Sequence, residues 1–224
     1  MTHQTADLDW RDDRIPVSRQ FDDPYFSLED GLAETEHVFL HGNRIATRLH
    51  APLSIAELGF GTGLNFLATW ALHRASGSTS PLQFTTFEAF PMKADDMAAA
   101  LAAFPRLSDL AAPLVKMVRS GEWQMQSGPV SLQVIVGDAR ETLPKWEGKA
   151  DAWYLDGFSP AKNPELWGAD LMAQVAAHTT AGGTLATYTA AGHVRRALAE
   201  AGFTVTRSPG FGRKRHMTSA EMPN

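Results

Sequence analysis

From residue 54 onward, short apolar or β-branched runs alternate with stretches of helical composition. Strand-like runs fall at 54–58, 82–88 (LQFTTFE), 130–136 (VSLQVIV), 152–155, 184–188 (TLATY), 204–207 and 216–219. Helical stretches are expected at 64–73, at 92–104 behind Pro91, at 107–118 with Pro113 breaking it, at 164–177 and at 193–201. Gly182-Gly183 reads as a turn that stops one helix, and Gly202 as the end of another. Strands separated by helices imply βαβ units, so the expected fold is α/β with a mostly parallel, seven-stranded, Rossmann-like sheet. Residues 1–50 break the rhythm. There 21–26, 38–40 and 45–49 read as short strands joined by turns, one of them at Gly42-Asn43. The expected division is an N-terminal β-rich extension over 1–50 and a main domain over 51–224, with a helical insertion at about 91–119.

Composition narrows the class. The chain has 224 residues, 44% of them apolar, and no cysteine. That length suits one domain with its own core. Disulfides, thiolate metal ligands and a cysteine nucleophile are excluded. The N-terminus is polar and acidic, unlike a signal peptide, and the longest near-apolar run, 97–104, is too short to span a bilayer. A soluble, cytoplasmic protein with no membrane partner is expected. The net charge of −5 argues against a nucleic-acid partner until its distribution is considered. Residues 1–36 hold ten acids against three arginines, whereas residues 195–216 hold five arginines and Lys214 against Glu200 alone. A basic C-terminal face can meet an anionic partner in a chain that is acidic overall; a solvated surface is the alternative.

Glu57-Leu-Gly59-Phe-Gly61-Thr-Gly63 falls where the first strand of the main domain ends and its first helix begins. Glycine lets the backbone turn sharply and approach a ligand closely, and the helix N-terminus adds free N–H groups. The dinucleotide fingerprint fails, because the third position after Gly61 is Leu64. The pattern present resembles the first motif of class I S-adenosylmethionine-dependent methyltransferases. An acid at the loop entrance suits a cofactor carrying an ammonium and a sulfonium. Two further acids follow strand ends: Glu88, placed to accept from ribose hydroxyls, and Asp138, followed by Ala139, within reach of an adenine amino group. Each can instead cap the following helix, less readily for Glu88, since Ala89-Phe90-Pro91 intervene.

After the strand at 152–155 comes Asp156-Gly-Phe158-Ser-Pro160-Ala-Lys162-Asn-Pro164, stiffened by its prolines and glycine. Asp156 can accept an N–H, orient an amine and take its proton. Phe158 can stack on a planar base or shelter a sulfonium. A structural turn capped by Asp156 is the alternative.

With these runs in view, the chain resembles a family of tRNA-modifying methyltransferases that convert 5-aminomethyl-2-thiouridine to 5-methylaminomethyl-2-thiouridine at the wobble position. In many bacteria that activity is the N-terminal half of a bifunctional protein fused to a flavin oxidase. The resemblance runs through Asp9-Trp10, 21–27, 31–35, 57–66, 156–164, 182–188 and 210–215. It implies S-adenosylmethionine as methyl donor and tRNA as substrate. It implies Glu57, Gly59, Gly61, Gly63, Asn65, Glu88, Asp138 and Ala139 around the cofactor, with Asp156 and Phe158 at the transfer site. Tyr25, Pro160, Lys162 and the basic run Arg213, Lys214 and Arg215 would contact the substrate. The sequence stops at Asn224 with no second G-x-G-x-x-G motif, so a stand-alone form or an isolated domain is expected. An FAD oxidase would then be a separate functional partner, as would the enzyme that makes the aminomethyl group. His37 and His41 flank a strand-like run and are not expected to bind metal. Two other functions compete: methylation or aminopropylation of a small-molecule amine, which the acidic N-terminal arm would suit, and a catalytically silent RNA-binding scaffold.

Overall fold

The computed structural model describes residues 4–27 and 30–224; residues 1–3, 28 and 29 of the expected extension lie outside them. The chain begins with three short antiparallel strands, β1 (Leu8–Arg11), β2 (Ile15–Ser18) and β3 (Asp23–Pro24). A short helix α1 (Gly31–Thr35) follows, capped by Asp30, whose side chain accepts from the Ala33 N–H. It runs into a π-helical turn, Glu36–His41, and a 3₁₀ turn, Ile45–Thr47. The strands expected at 38–40 and 45–49 are therefore helical. Val38, Phe39 and Leu40 are all buried, and a three-residue apolar run carries no period to separate strand from buried helix.

The main sheet then builds from β4 (Leu53–Leu58), helix α2 (Leu64–Ala75) and β5 (Leu82–Glu88). Helices α3 (Ala94–Leu101) and α4 (Ser108–Arg119) come next, with β6 (Gln124–Ser127) and β7 (Val130–Val136) as an antiparallel hairpin. Helix α5 (Ala139–Thr142), β8 (Ala150–Leu155), α6 (Ala169–Ala177), β9 (Thr179–Thr187), α7 (Gly192–Glu200), β10 (Thr204–Pro209) and β11 (His216–Glu221) complete it. The order is β10-β11-β9-β8-β4-β5-β7-β6, eight strands where seven were expected. The extra one, β6, is a polar edge strand whose sequence Gln-Met-Gln-Ser carries no β signal. Two expected breaks are absent. Helix α4 runs through exposed Pro113, held by its buried stripe of Leu110, Ala111, Leu114, Val115, Met117 and Val118. Strand β9 runs through Gly182-Gly183, where the pairing with β8 shifts register and a bulge absorbs the glycines.

Alternation along the central strands divides the core. Leu53 and Ile55 of β4, with Ala152 and Tyr154 of β8, pack on the side of α2, α3 and α4. Ala56, Leu58, Trp153 and Leu155 pack on the opposite side against α5, α6 and α7. The N-terminal helical turns are sewn to the sheet by fully buried Asn43. Its amide donates to the Phe39 and Trp153 carbonyls at 3.1 and 3.3 Å and accepts from Thr184 Oγ1 at 2.7 Å. Asn43→Ala removes three buried hydrogen bonds and is expected to cost about 2–3 kcal/mol, read by urea unfolding.

Candidate active site

β4 pairs in parallel with both β5 and β8. The chain leaves β4 toward β5 and β7, then returns to β8 and β9 on its other side. This is the switch point of an open α/β sheet, where a crevice opens at the carboxyl ends of the strands. A cavity of about 820 Å³ lies there. Its floor is the turn from Gly59 to Thr62. Gly59 (φ +91°) passes so close to the Asp156 carbonyl that a Cβ would sit 2.7 Å from the oxygen. Gly61 (φ +53°) lies under the Tyr25 ring, 3.0 Å from where a Cβ would be. A Cβ at Gly59 would strike fixed backbone, and the left-handed backbone at Gly61 favours glycine.

Behind the turn, one amide organises carboxyls from two strands. Asn65, in the first turn of α2, donates from Nδ2 to Glu57 Oε1 at 2.8 Å and to Asp156 Oδ2 at 2.7 Å. Its Oδ1 accepts from Thr35 of α1 at 2.8 Å. The other Glu57 oxygen accepts from Thr86 Oγ1 of β5 at 2.8 Å. Glu57 is fully buried, and desolvation pushes its pKa well above the usual carboxylate range. Asp156 is pushed up to about 7, chiefly by desolvation, while the Asn65 hydrogen bond pulls the other way. Glu88 ends β5 with its carboxylate in the cavity wall, accepting from the Gly61 and Phe90 N–H groups at 2.9 and 2.8 Å. Burial raises its pKa and these backbone donors oppose the rise.

The cavity wall includes Tyr25, Gly59, Gly61, Asn65, Glu88, Asp138, Ala139, Asp156, Phe158, Lys162, Arg213 and Lys214. Glu57, Gly63, Pro160 and Arg215 are not part of it. Glu57 is spent on Asn65 and Thr86. Gly63 faces Leu114, whose Cδ2 would lie 2.7 Å from a Cβ there. Asp138 caps α5, accepting from the Arg140 N–H, and its carboxylate is forked by the Arg140 guanidinium at 2.6–3.0 Å. That pairing lowers its pKa. Lys162, expected to contact the substrate, holds the N-terminal arm, bonding to Asp22 and lying 3.7 Å from Asp23. Asp23 also accepts from the Ser159 N–H at 2.8 Å. Phe158 stacks on Phe21 at 4.8 Å and meets Tyr25 nearly at right angles, while Trp167 pins its carbonyl at 2.8 Å.

Glu34 and Tyr188 also line the cavity, although no motif in the sequence marks either as a site residue. Tyr188 just follows β9, and the rule that ligands bind outside the carboxyl ends of such strands would find it. Glu34 lies in a helix that reads as extension rather than site, and only the tertiary fold brings it in. His37 and His41, expected to flank a strand, lie on the π-helical turn with rings 6.3 Å apart, and His37 bonds to the Pro209 carbonyl. Among the described residues no three His, Asp or Glu side chains form a metal-binding group.

A glycine cradle at the switch point, with a carboxylate on the neighbouring strand, defines a nucleoside-cofactor site. Residues 107–223, more than half of the chain, match the family described as S-adenosyl-L-methionine-dependent methyltransferase, and the chain belongs to that family. It is 45% identical over 225 residues to the tRNA 5-methylaminomethyl-2-thiouridine biosynthesis bifunctional protein MnmC of Pseudomonas paraeruginosa, with 96% of this chain and 34% of that protein covered. The match to MnmC of Pseudomonas aeruginosa PAO1 is likewise 45%, covering 96% of this chain and 35% of that protein. The chain thus spans about a third of the length of these relatives. The crystal structure of MnmC2 from Aquifex aeolicus superposes with a TM-score of 0.79 at 25% identity, over 99% of this chain and 73% of that one. S-adenosylmethionine fits the residues present. Gly59 and Gly61 line the cavity with backbone, and Glu88, bonded to the Gly61 N–H, supplies a carboxylate acceptor in its wall.

Asp156 titrates at 3.8 ordinarily and at about 7 in the fold, so folding stability falls as pH rises between those values. Asp156→Asn removes that loss. Urea unfolding at stepped pH is expected to show the variant gaining on the wild type from about pH 4 to pH 7, then holding a constant lead.

Proposed function

We propose that this chain methylates the primary amine of a 5-aminomethyl-uridine or 5-aminomethyl-2-thiouridine at the wobble position of tRNA, in the cytoplasm. The observation that carries the reading is the Asp156 carboxyl, held by Asn65 in the wall of the cofactor crevice with a pKa raised to about 7. The bifunctional relatives, named as tRNA thiouridine biosynthesis proteins, support the substrate class.

S-adenosylmethionine, when bound, supplies a methyl carbon on a sulfonium whose C–S electron pair stays with sulfur. The chain's residues do the rest. Asp156 accepts a proton from the incoming ammonium and leaves a neutral amine with a lone pair to aim. Asn65 fixes that carboxyl against Glu57, so the acceptor of the proton does not wander. Gly59, Gly61, Glu88, Asp138 and Ala139 line the cofactor side, and Phe158, backed by Phe21, closes the transfer side against water. Glu57 and Gly63 serve from behind the wall. Arg213 and Arg215 lie on the loop after β10, and the charges of Arg207, Arg215 and Arg195 add to the desolvation that lowers the pKa of His216. That clustering suits a phosphate backbone. The acceptor amine must be made first by another activity, for which a separate FAD oxidase or an aminomethyl-installing enzyme would serve.

Labelled methyl donor, hypomodified tRNA and nucleoside mass spectrometry test the reading; methylaminomethyl-uridine is the expected product, and its absence refutes it. Asp156→Ala is expected to slow transfer by about 10²–10⁴ while leaving cofactor affinity nearly intact. Replacing Arg213 and Arg215 with Ala is expected to weaken tRNA binding and to lower the salt slope by about one for each phosphate that is no longer neutralised.

A further inference from the structure

The basic loop puts one cation where the substrate reading does not require it. Lys214 Nζ reaches back into the cavity, 2.6 Å from Glu34 Oε1 and 4.3 Å above the centroid of the Tyr188 ring. Glu34 is only 13% exposed at its side chain, and the Tyr188 hydroxyl is tied to the Gly157 carbonyl at 2.8 Å. The carboxylate and ring are therefore fixed, whereas Lys214 is 46% exposed on a turn closed by the Lys214 N–H on the Phe211 carbonyl. All of these groups line the cavity that contains Asp156. Glu34, Lys214 and Asp156 share this one cavity, and the charges of the first two both act on the Asp156 carboxyl.

A carboxylate beside an aromatic face is a receptor for an ammonium ion. A primary ammonium is the form in which an aminomethyl group reaches the site. We propose that Glu34 and Tyr188 form the subsite for the acceptor's aminomethyl group and that Lys214 occupies it as an internal stand-in until substrate displaces it. The exchange conserves charge, since one primary ammonium replaces another against Glu34. Lys214 is the exposed partner of the pair, and the substrate's ammonium takes its place against the nearly buried Glu34 as it leaves. Its flexible four-carbon stem can then turn outward, toward the phosphates that accompany the acceptor. A substrate with phosphates to offer thus opens the subsite, and a free amine competes with the plug. Glu34 gives selectivity for a cation over a neutral hydroxyl, and the release of the proton to Asp156 follows only once the ammonium is seated.

This inference rests on the amine-methyltransferase reading, and binding to a nucleoside that carries no phosphate isolates it. The probe is free 5-aminomethyluridine, titrated calorimetrically into protein loaded with S-adenosylhomocysteine, with 5-hydroxymethyluridine as the neutral control. Lys214→Met is expected to bind the aminomethyl nucleoside at least about fivefold more tightly than the wild type, because the competing plug is gone. The neutral control is expected to show no gain, and adding Glu34→Gln is expected to abolish it. Lys214→Gln gives the same comparison if Lys214→Met folds poorly. Unchanged or weaker binding in a folded Lys214 variant overturns the proposal, as does an equal gain for the hydroxymethyl control. Methyl transfer by the wild type to hypomodified tRNA is measured in parallel. Transfer without the gain overturns the subsite alone; the gain without transfer sustains the subsite and removes the tRNA reading.

Discussion

The two amide protons of Asn65 are divided between two buried carboxyls, one on β4 and one after β8, and the site is organised around that division. Glu57 and Asp156 face each other across the switch point, and the charge of Asp156 adds to the desolvation that raises Glu57. An amide between them satisfies one oxygen of each without adding charge. Its own carbonyl oxygen takes the Thr35 hydroxyl, which brings α1, and with it Glu34, to the cavity. The backbone carbonyl of the same residue accepts from Thr69, which meets the Tyr154 hydroxyl on β8. One residue thus connects the sheet, the first helix of the main fold and the N-terminal helical turn. Half-satisfied buried networks are costly, so this one holds as a unit or fails as a unit.

The chemistry follows from what the network does to Asp156. A solvated aspartate would be a weak base for an amine at neutral pH. Burial raises it to the range where it can take a proton and give it up again, while Asn65 keeps it from rising further. The N-terminal arm then closes the site, through Lys162 on Asp22, Asp23 on the Ser159 N–H and Phe21 on Phe158. The acidic character of that arm, which looked suited to a polyamine, is used in part to hold the loop at 156–164.

Much of the main fold was legible in the sequence. The βαβ rhythm, the glycine turn and the Asp156 loop are local signals, because strand ends and turns impose residue types on their own short windows. What escaped was set by tertiary context. Val38–Phe39–Leu40 looked extended because three buried neighbours have no period. β6 was invisible because an edge strand can be polar. Glu57 seemed a cofactor contact because an acid stands at the loop entrance, yet its fully buried carboxyl faces Asn65 and Thr86. Lys162 and Lys214 looked like substrate cations, and no sequence window shows that Asp22 and Glu34 hold them. Charge pairing across more than a hundred residues leaves no local pattern.

The central claim is that Asp156 takes the acceptor's proton and that Asn65 sets where it titrates. The direct measurement is the pH profile of single-turnover methyl transfer to hypomodified tRNA, compared between the wild type and Asn65→Ala. The wild-type rate is predicted to climb through a limb near 7, and the limb is predicted to move to higher pH when the Asn65 hydrogen bond is removed. The acceptor amine's own titration is the same in both proteins and cannot produce such a displacement. A limb that stays at the same pH in the variant would contradict the account.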